Sequence, residues 1–141
     1  MRITDLLDAR SVSLTSSPKT KSEALDQAVA LMTKSGKIND EEAYRSQVYA
    51  REEESTTGIG EGIAIPHAQS EAVNAPGLAA MVVKDGVDYQ SLDNQPAKLF
   101  FMIAVPKTGG NEHLQILAML SQMLMDTDFK DSLIKSFLCF N

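Results

Sequence analysis

The sequence predicts an α/β (α+β) domain, a mixed β-sheet flanked by helices within a single domain of 141 residues. Two observations carry this. Leu78 to Lys84 and Lys98 to Val105 are apolar runs of strand length, and amphipathic helical patterns stand before and after them. Strands alternating with helices fit a sheet covered by helices. The length suits one core, large enough to need no disulfide or metal.

In order along the chain, Ile3 to Leu7 is read as a short helical turn, and Ser11 to Thr15 as a short strand in which Val12 and Leu14 alternate with polar neighbours. Thr20 to Ser35 is read as a helix. Thr20 supplies the N-cap, Glu23 stands three residues on, and Leu25, Ala28, Val29 and Met32 form one face before Gly36 stops the helix. A second helix starts at Asn39 or Asp40, has an acidic first turn, and runs to about Glu53, with Tyr44, Val48 and Arg51 sharing a face. Ser55 to Ala68 is too interrupted by glycine and proline to be helical, although Ile63 to Ile65 suits a short strand. After the two clear strands, Asn111 to Asp126 and Asp128 to Phe137 complete the helices.

Composition narrows the function classes. The net charge of −6 argues against nucleic acid and against direct contact with an anionic membrane surface. No stretch approaches the ~20 apolar residues of a membrane span, and the first residues do not read as a signal peptide. Cys139 is the only cysteine, so no intramolecular disulfide forms, and a cytoplasmic location is expected. Two histidines and one cysteine, far apart in the chain, do not make a zinc site.

The chemistry concentrates in Gly58-Ile59-Gly60-Glu61-Gly62-Ile63-Ala64-Ile65-Pro66-His67. Glycine at every second position permits close approach of a ligand, and Pro66 stiffens the backbone just before His67. The imidazole has the one unperturbed side-chain pKa near neutrality, which suits a nucleophile. The spacing fits neither a dinucleotide fingerprint nor a Walker loop. A glycine-rich turn whose histidine merely packs would carry the same letters.

The second histidine, His113, falls in the first turn after Gly109-Gly110-Asn111, where free backbone N–H groups suit an anion. Taken alone, an exposed first-turn histidine without a role is the better reading there. Arg51 is a third candidate, able to clamp phosphate oxygens through its planar fork. It also suits the end of a helix, paired with Glu54.

At Gly58 to Ala68 the sequence resembles the active-site segment of enzyme IIA domains of the fructose–mannitol class, from the bacterial phosphoenolpyruvate-dependent sugar phosphotransferase system. Gly86 to Pro96 is similar to the family's stretch before its apolar strand, and Asn111 to Leu117 to its second histidine region. The three segments stand in family order and spacing over nearly the whole chain.

The resemblance implies that His67 takes a phosphoryl group on Nε2 from the phosphocarrier protein HPr and passes it to a cysteine of an enzyme IIB domain. His113 matches the second active-site histidine, and Arg51 a family arginine near the site. Arg51 and the backbone at Gly60 and Gly62 are the expected phosphate contacts. Glu61 stands where many fructose members have Asn. Neither metal nor cofactor is expected, because the phosphoryl group is carried covalently on His67. A membrane enzyme IIC is an expected further partner, fused or separate. A regulatory role in the nitrogen-related branch, using the same histidine, is the alternative to sugar uptake. Transfer between proteins further calls for an exposed His67 and an apolar docking rim, for which Ile59, Ile63 and Ile65 are available.

Overall fold

The computed structural model describes residues 7–13 and 15–107 and, beyond them, Gln115, Ala118, Met119 and Gln122. Six strands form one mixed sheet: β1 (Leu7–Ser13), β2 (Gly58–Gly60), β3 (Ile63–Ala64), β4 (His67–Ser70), β5 (Gly77–Val87) and β6 (Ala97–Pro106). Two helices, α1 (Lys21–Lys34) and α2 (Glu41–Glu54), lie between β1 and β2 in the chain.

The strand order is β1-β5-β6-β3-β2, and β4 also pairs with β6. β6 is therefore the central strand. It runs antiparallel to β5 on one side and parallel to both β3 and β4 on the other. β3 takes the Leu99–Phe100 end of it and β4 the Ile103–Pro106 end. Between them falls Pro66, which has no N–H to give.

Both faces of the sheet are buried, as continuous apolar strands require. Leu78, Ala80 and Val82 of β5 share one face with Leu99, Phe101, Ile103 and Val105 of β6. Ala79, Met81 and Val83 face the other way with Phe100, Met102 and Ala104, against α1 and α2. Met119, which is helical, packs on the first of these faces.

α1 begins where its cap says it should. The Thr20 hydroxyl accepts the Glu23 N–H at 3.1 Å, and Glu23 accepts the Lys19 N–H at 2.6 Å. Such a cap contributes about 1 kcal/mol. Asp40 caps α2 in the same way through the Ala43 N–H, at 3.1 Å.

The first strand is displaced from its expected position. It spans Leu7–Ser13 rather than Ser11–Thr15, because parallel pairing with β5, from Leu7↔Leu78 to Ser13↔Met81, fixes it there. Leu7 is thus strand, while the rest of the expected turn at Ile3 to Leu7 lies outside the described residues. β2 and β4 were not foreseen as strands. The expected helix at Asp128 to Phe137 lies outside the described residues. So does the one at Asn111 to Asp126, except for four residues, all helical.

Candidate functional site

His67 opens β4, opposite Ile103 of β6. Three backbone bonds fix the step that presents it. The Ile65 N–H donates to the Thr57 carbonyl at 3.0 Å, the Ile103 N–H donates to the Pro66 carbonyl at 3.0 Å, and the Ile65 carbonyl faces His67 Nδ1 at 2.8 Å. A carbonyl only accepts, so this contact places the proton on Nδ1. In the neutral ring the lone pair then belongs to Nε2, which is the nucleophilic nitrogen.

His67 is 7% exposed, so the expectation of an openly exposed imidazole is corrected. Helix α2 packs against β4 and covers it. Access is through a cavity of about 220 Å³ between these two elements, lined by Gln47, Ala50, Arg51, Glu54, His67, Ala68 and Gln69. Buried Tyr44 anchors that helix: its phenol donates to the Ile103 carbonyl at 2.9 Å, on the strand residue opposite His67. Burial raises the Tyr44 phenol well above its ordinary pKa, so it remains a donor.

Arg51 shares the cavity with His67. Its Nη1 donates to the Ser55 carbonyl at 3.0 Å and contacts the Ser55 hydroxyl at 3.4 Å. The guanidinium thus closes the C-terminal end of its own helix and stands at the cavity wall, beside Glu54.

Gly60 and Gly62 are not brought to His67, which corrects their assignment as phosphate contacts. They flank the β2–β3 turn, where Gly60, Glu61 and Gly62 have φ of 99°, 56° and 80°. The Gly62 carbonyl accepts the Lys98 N–H at 2.7 Å, whereas His67 pairs at Ile103. Five residues of strand separate these levels, roughly 16 Å at ~3.3 Å per residue. The Glu61 N–H is already given to the Asp93 carboxylate, at 2.9 Å. His113 lies outside the described residues. Ile63 and Ile65 are core residues, 2% and 8% exposed, so of the three isoleucines only Ile59 faces solvent.

One charged residue at the site was not foreseen. Glu52 is buried beside Arg51, and its carboxylate accepts the Thr57 N–H at 2.8 Å, the Thr57 hydroxyl, and the Tyr89 phenol at 2.6 Å. Lys21 supplies the countercharge at 3.4 Å and lies over the Tyr89 ring at 4.6 Å. Paired and hydrogen-bonded on every side, the carboxylate escapes most of the penalty of burial. Burial and then the Glu52 charge push the Tyr89 phenol far above its ordinary pKa. The signal for Glu52 was present: Tyr44, Val48 and Glu52 stand at i, i+4 and i+8, the buried stripe of α2. Among the described residues, no three His, Cys, Asp or Glu side chains cluster to hold a metal.

The family model described as "Phosphoenolpyruvate-dependent sugar phosphotransferase system, EIIA 2" matches residues 5–137. The chain belongs to this family. It is 45% identical over 136 residues to the PTS system fructose-specific EIIABC component of Bacillus subtilis, covering 96% of this chain but only 21% of that protein. The chain thus spans about a fifth of that relative's length. To the PTS system fructose-specific EIIA component of Haloferax volcanii it is 42% identical over 125 residues, 89% of this chain and 81% of the relative. Among solved structures, the nitrogen regulatory protein IIA-Ntr of Neisseria meningitidis superposes with a TM-score of 0.80 at 25% identity, covering 94% and 90% of the two chains. The complex of enzyme IIAMTL with phosphorylated enzyme IIBMTL from Escherichia coli gives a TM-score of 0.74 at 26% identity, covering 94% and 89%. This EIIA domain has the mixed sheet and flanking helices of those neighbours. Among its described residues no helix is long and apolar enough to cross a membrane.

Proposed function

We propose that this EIIA domain carries a phosphoryl group on Nε2 of His67, receiving it from phosphorylated HPr and giving it to a cysteine of an enzyme IIB domain in sugar uptake of the fructose type, on the cytoplasmic side of a membrane enzyme IIC. The observation that carries the reading is the Nδ1–H bond of His67 to the Ile65 carbonyl at 2.8 Å, which commits the lone pair of the neutral ring to Nε2. The fructose assignment follows the 45% and 42% identical relatives.

In the forward step, the Nε2 lone pair attacks phosphorus while the nitrogen–phosphorus bond of the carrier's phosphohistidine breaks and returns its electron pair to that ring. The positive charge that develops on the His67 ring is shared through Nδ1–H with the Ile65 carbonyl, already in place. Arg51, at the wall of the same cavity, offsets the phosphate charge when its fork turns from Ser55 to the phosphoryl oxygens. In the second step a thiolate attacks phosphorus and the electron pair returns to Nε2. Catalysis of this kind is positioning and electrostatics. His113, matching the family's second histidine, is assigned to hold the phosphoryl group, and no metal or further cofactor is invoked.

Incubation with phosphoenolpyruvate, enzyme I and HPr, then intact mass and phosphohistidine mapping, tests the carrier role. One acid-labile phosphate on His67 is expected, discharged on adding a fructose-type enzyme IIB. The likeness to IIA-Ntr at a TM-score of 0.80 supports a regulatory reading instead. A phosphorylated domain that keeps its phosphate against every enzyme IIB would favour that reading.

A further inference from the structure

We infer that Glu52 is a positioning residue for His67, setting the tautomer of the imidazole through two intervening backbone segments. This rests on the reading of His67 as the phosphoryl acceptor. The connection is a continuous chain of hydrogen bonds. Glu52 accepts the Thr57 N–H at 2.8 Å and the Thr57 hydroxyl. The Thr57 carbonyl accepts the Ile65 N–H at 3.0 Å, and the Ile65 carbonyl accepts His67 Nδ1–H at 2.8 Å. A negative charge with two bonds to one residue fixes the orientation of Thr57. Thr57 in turn fixes Ile65, whose carbonyl decides which ring nitrogen carries the proton. Glu52 does not line the cavity and touches neither His67 nor anything docked there. It also adjoins Arg51 in α2, so one buried anchor registers both the acceptor and the cation at the cavity wall.

The carboxylate is the required chemistry. It accepts three donors on two oxygens. In Glu52→Gln the charge is lost and one of those atoms becomes an NH₂ group, so the Thr57 hydroxyl must accept where it had donated and the hold on Thr57 weakens. With its anchor loosened, Thr57 fixes Ile65 less firmly, and the Ile65 carbonyl loses part of its hold on Nδ1.

The test is long-range nitrogen–proton NMR of the ¹⁵N-labelled, unphosphorylated full chain, at a pH where His67 is neutral. Wild type should show the Nδ1–H tautomer, and Glu52→Gln a mixture with substantial Nε2–H. Tyr89→Phe is the matched control. It removes a partner of the same carboxylate, and with it the 3.0 Å contact between the Tyr89 and Thr57 hydroxyls, but leaves both bonds from Thr57 to Glu52, so it should destabilise the fold while keeping the wild-type tautomer. Phosphoryl acceptance from phosphorylated HPr should fall roughly 10-fold in kcat for Glu52→Gln, with KM unchanged because Glu52 makes no contact with the carrier. An unchanged tautomer in Glu52→Gln, or an equal change in Tyr89→Phe, overturns the inference. Should Glu52→Gln not fold, Thr57→Val, which loses one of the two bonds, must show a smaller shift in the same direction, and no shift overturns it. Because the tautomer is read without phosphate, its failure is separate from failure of the carrier role, which would appear as unlabelled wild type.

Discussion

The turn at Glu61 and the step at His67 lie a few residues apart in the chain, yet they are held by opposite means. At the turn, three successive residues have positive φ and the fastening is an exposed carboxylate, Asp93, on a backbone N–H. At His67 no described residue from Ile63 to Gln69 has positive φ, and the fastening is buried: the Thr57, Ile65 and Pro66 backbone bonds with Glu52 behind them. Conformational strain and chemical function are therefore separated along one segment. A ring whose tautomer matters is held by ordinary extended backbone through a buried hydrogen bond, which is stronger there than in water. The glycines serve the hairpin that delivers the strand.

The sharpest way to break this comparison is to remove the two ends in turn. His67→Ala should abolish phosphate incorporation, read by intact mass after incubation with phosphoenolpyruvate, enzyme I and HPr, with the circular dichroism spectrum preserved. Full labelling of that variant would move the acceptor elsewhere.

Arg51→Ala should come next in size. Arg51 is half-buried and, among the described residues, bonds only to Ser55, so little stability should be lost. A charge-assisted hydrogen bond to the phosphoryl group is worth roughly 1.5–3 kcal/mol, so acceptance from phosphorylated HPr should slow about 10- to 100-fold. Arg51→Lys should recover only part of that rate, because an ammonium lacks the planar fork. A rate equal to wild type in Arg51→Ala would leave Arg51 as a helix-end residue alone.

At the other end the prediction reverses: stability changes and transfer does not. Gly62 has φ of 80°, and an added Cβ finds its nearest neighbours at 4.0 Å, so Gly62→Ala pays for conformation and not for collision. That should cost about 1–2 kcal/mol in urea unfolding. Below the transition, phosphoryl acceptance should match wild type. A slowed reaction with unchanged stability would return Gly62 to the phosphate site.

This division was only half visible in the amino-acid order. Helices announced by caps, Thr20 with Glu23 and Asp40 before an acidic turn, are where they were expected to within a residue or so. The two long strands are found too, their apolar runs buried on both faces, although β5 runs three residues past Lys84, to Val87. β2 and β4 were illegible because they are short and take their stability from pairing, with β3 and β6 respectively. Gly60 and Gly62 were placed with His67 because motifs are read as if neighbours in sequence were neighbours in space. An intervening strand carries them away. Glu52 was hidden in an acidic run, Glu52-Glu53-Glu54, in which only the helical period singles out the buried one.

The smallest expected effect isolates the fastening of the turn. Asp93 accepts the Glu61 N–H at 2.9 Å and the Gln95 N–H at 3.1 Å. These two backbone bonds, the Glu61 bond first, lower its pKa below the ordinary 3.8. A carboxylate more acidic in the folded chain than in the unfolded one stabilises the fold fully above the unfolded value. That contribution is lost as pH falls through the lower, folded value, where protonation removes the acceptor. Urea unfolding from pH 6 down to pH 2 should therefore show a component of acid sensitivity beginning near pH 4, which Asp93→Asn abolishes by being uniformly weaker across the range. Because Asp93 is fully solvated, that component should be small and shrink further in salt. The His67 tautomer should not respond to the substitution, since Asp93 bonds the turn and its own loop and not Thr57 or Ile65, which hold the ring. An Asp93→Asn chain with an altered His67 tautomer would show that strain at the turn is transmitted to the site, and the separation of the two ends would fail.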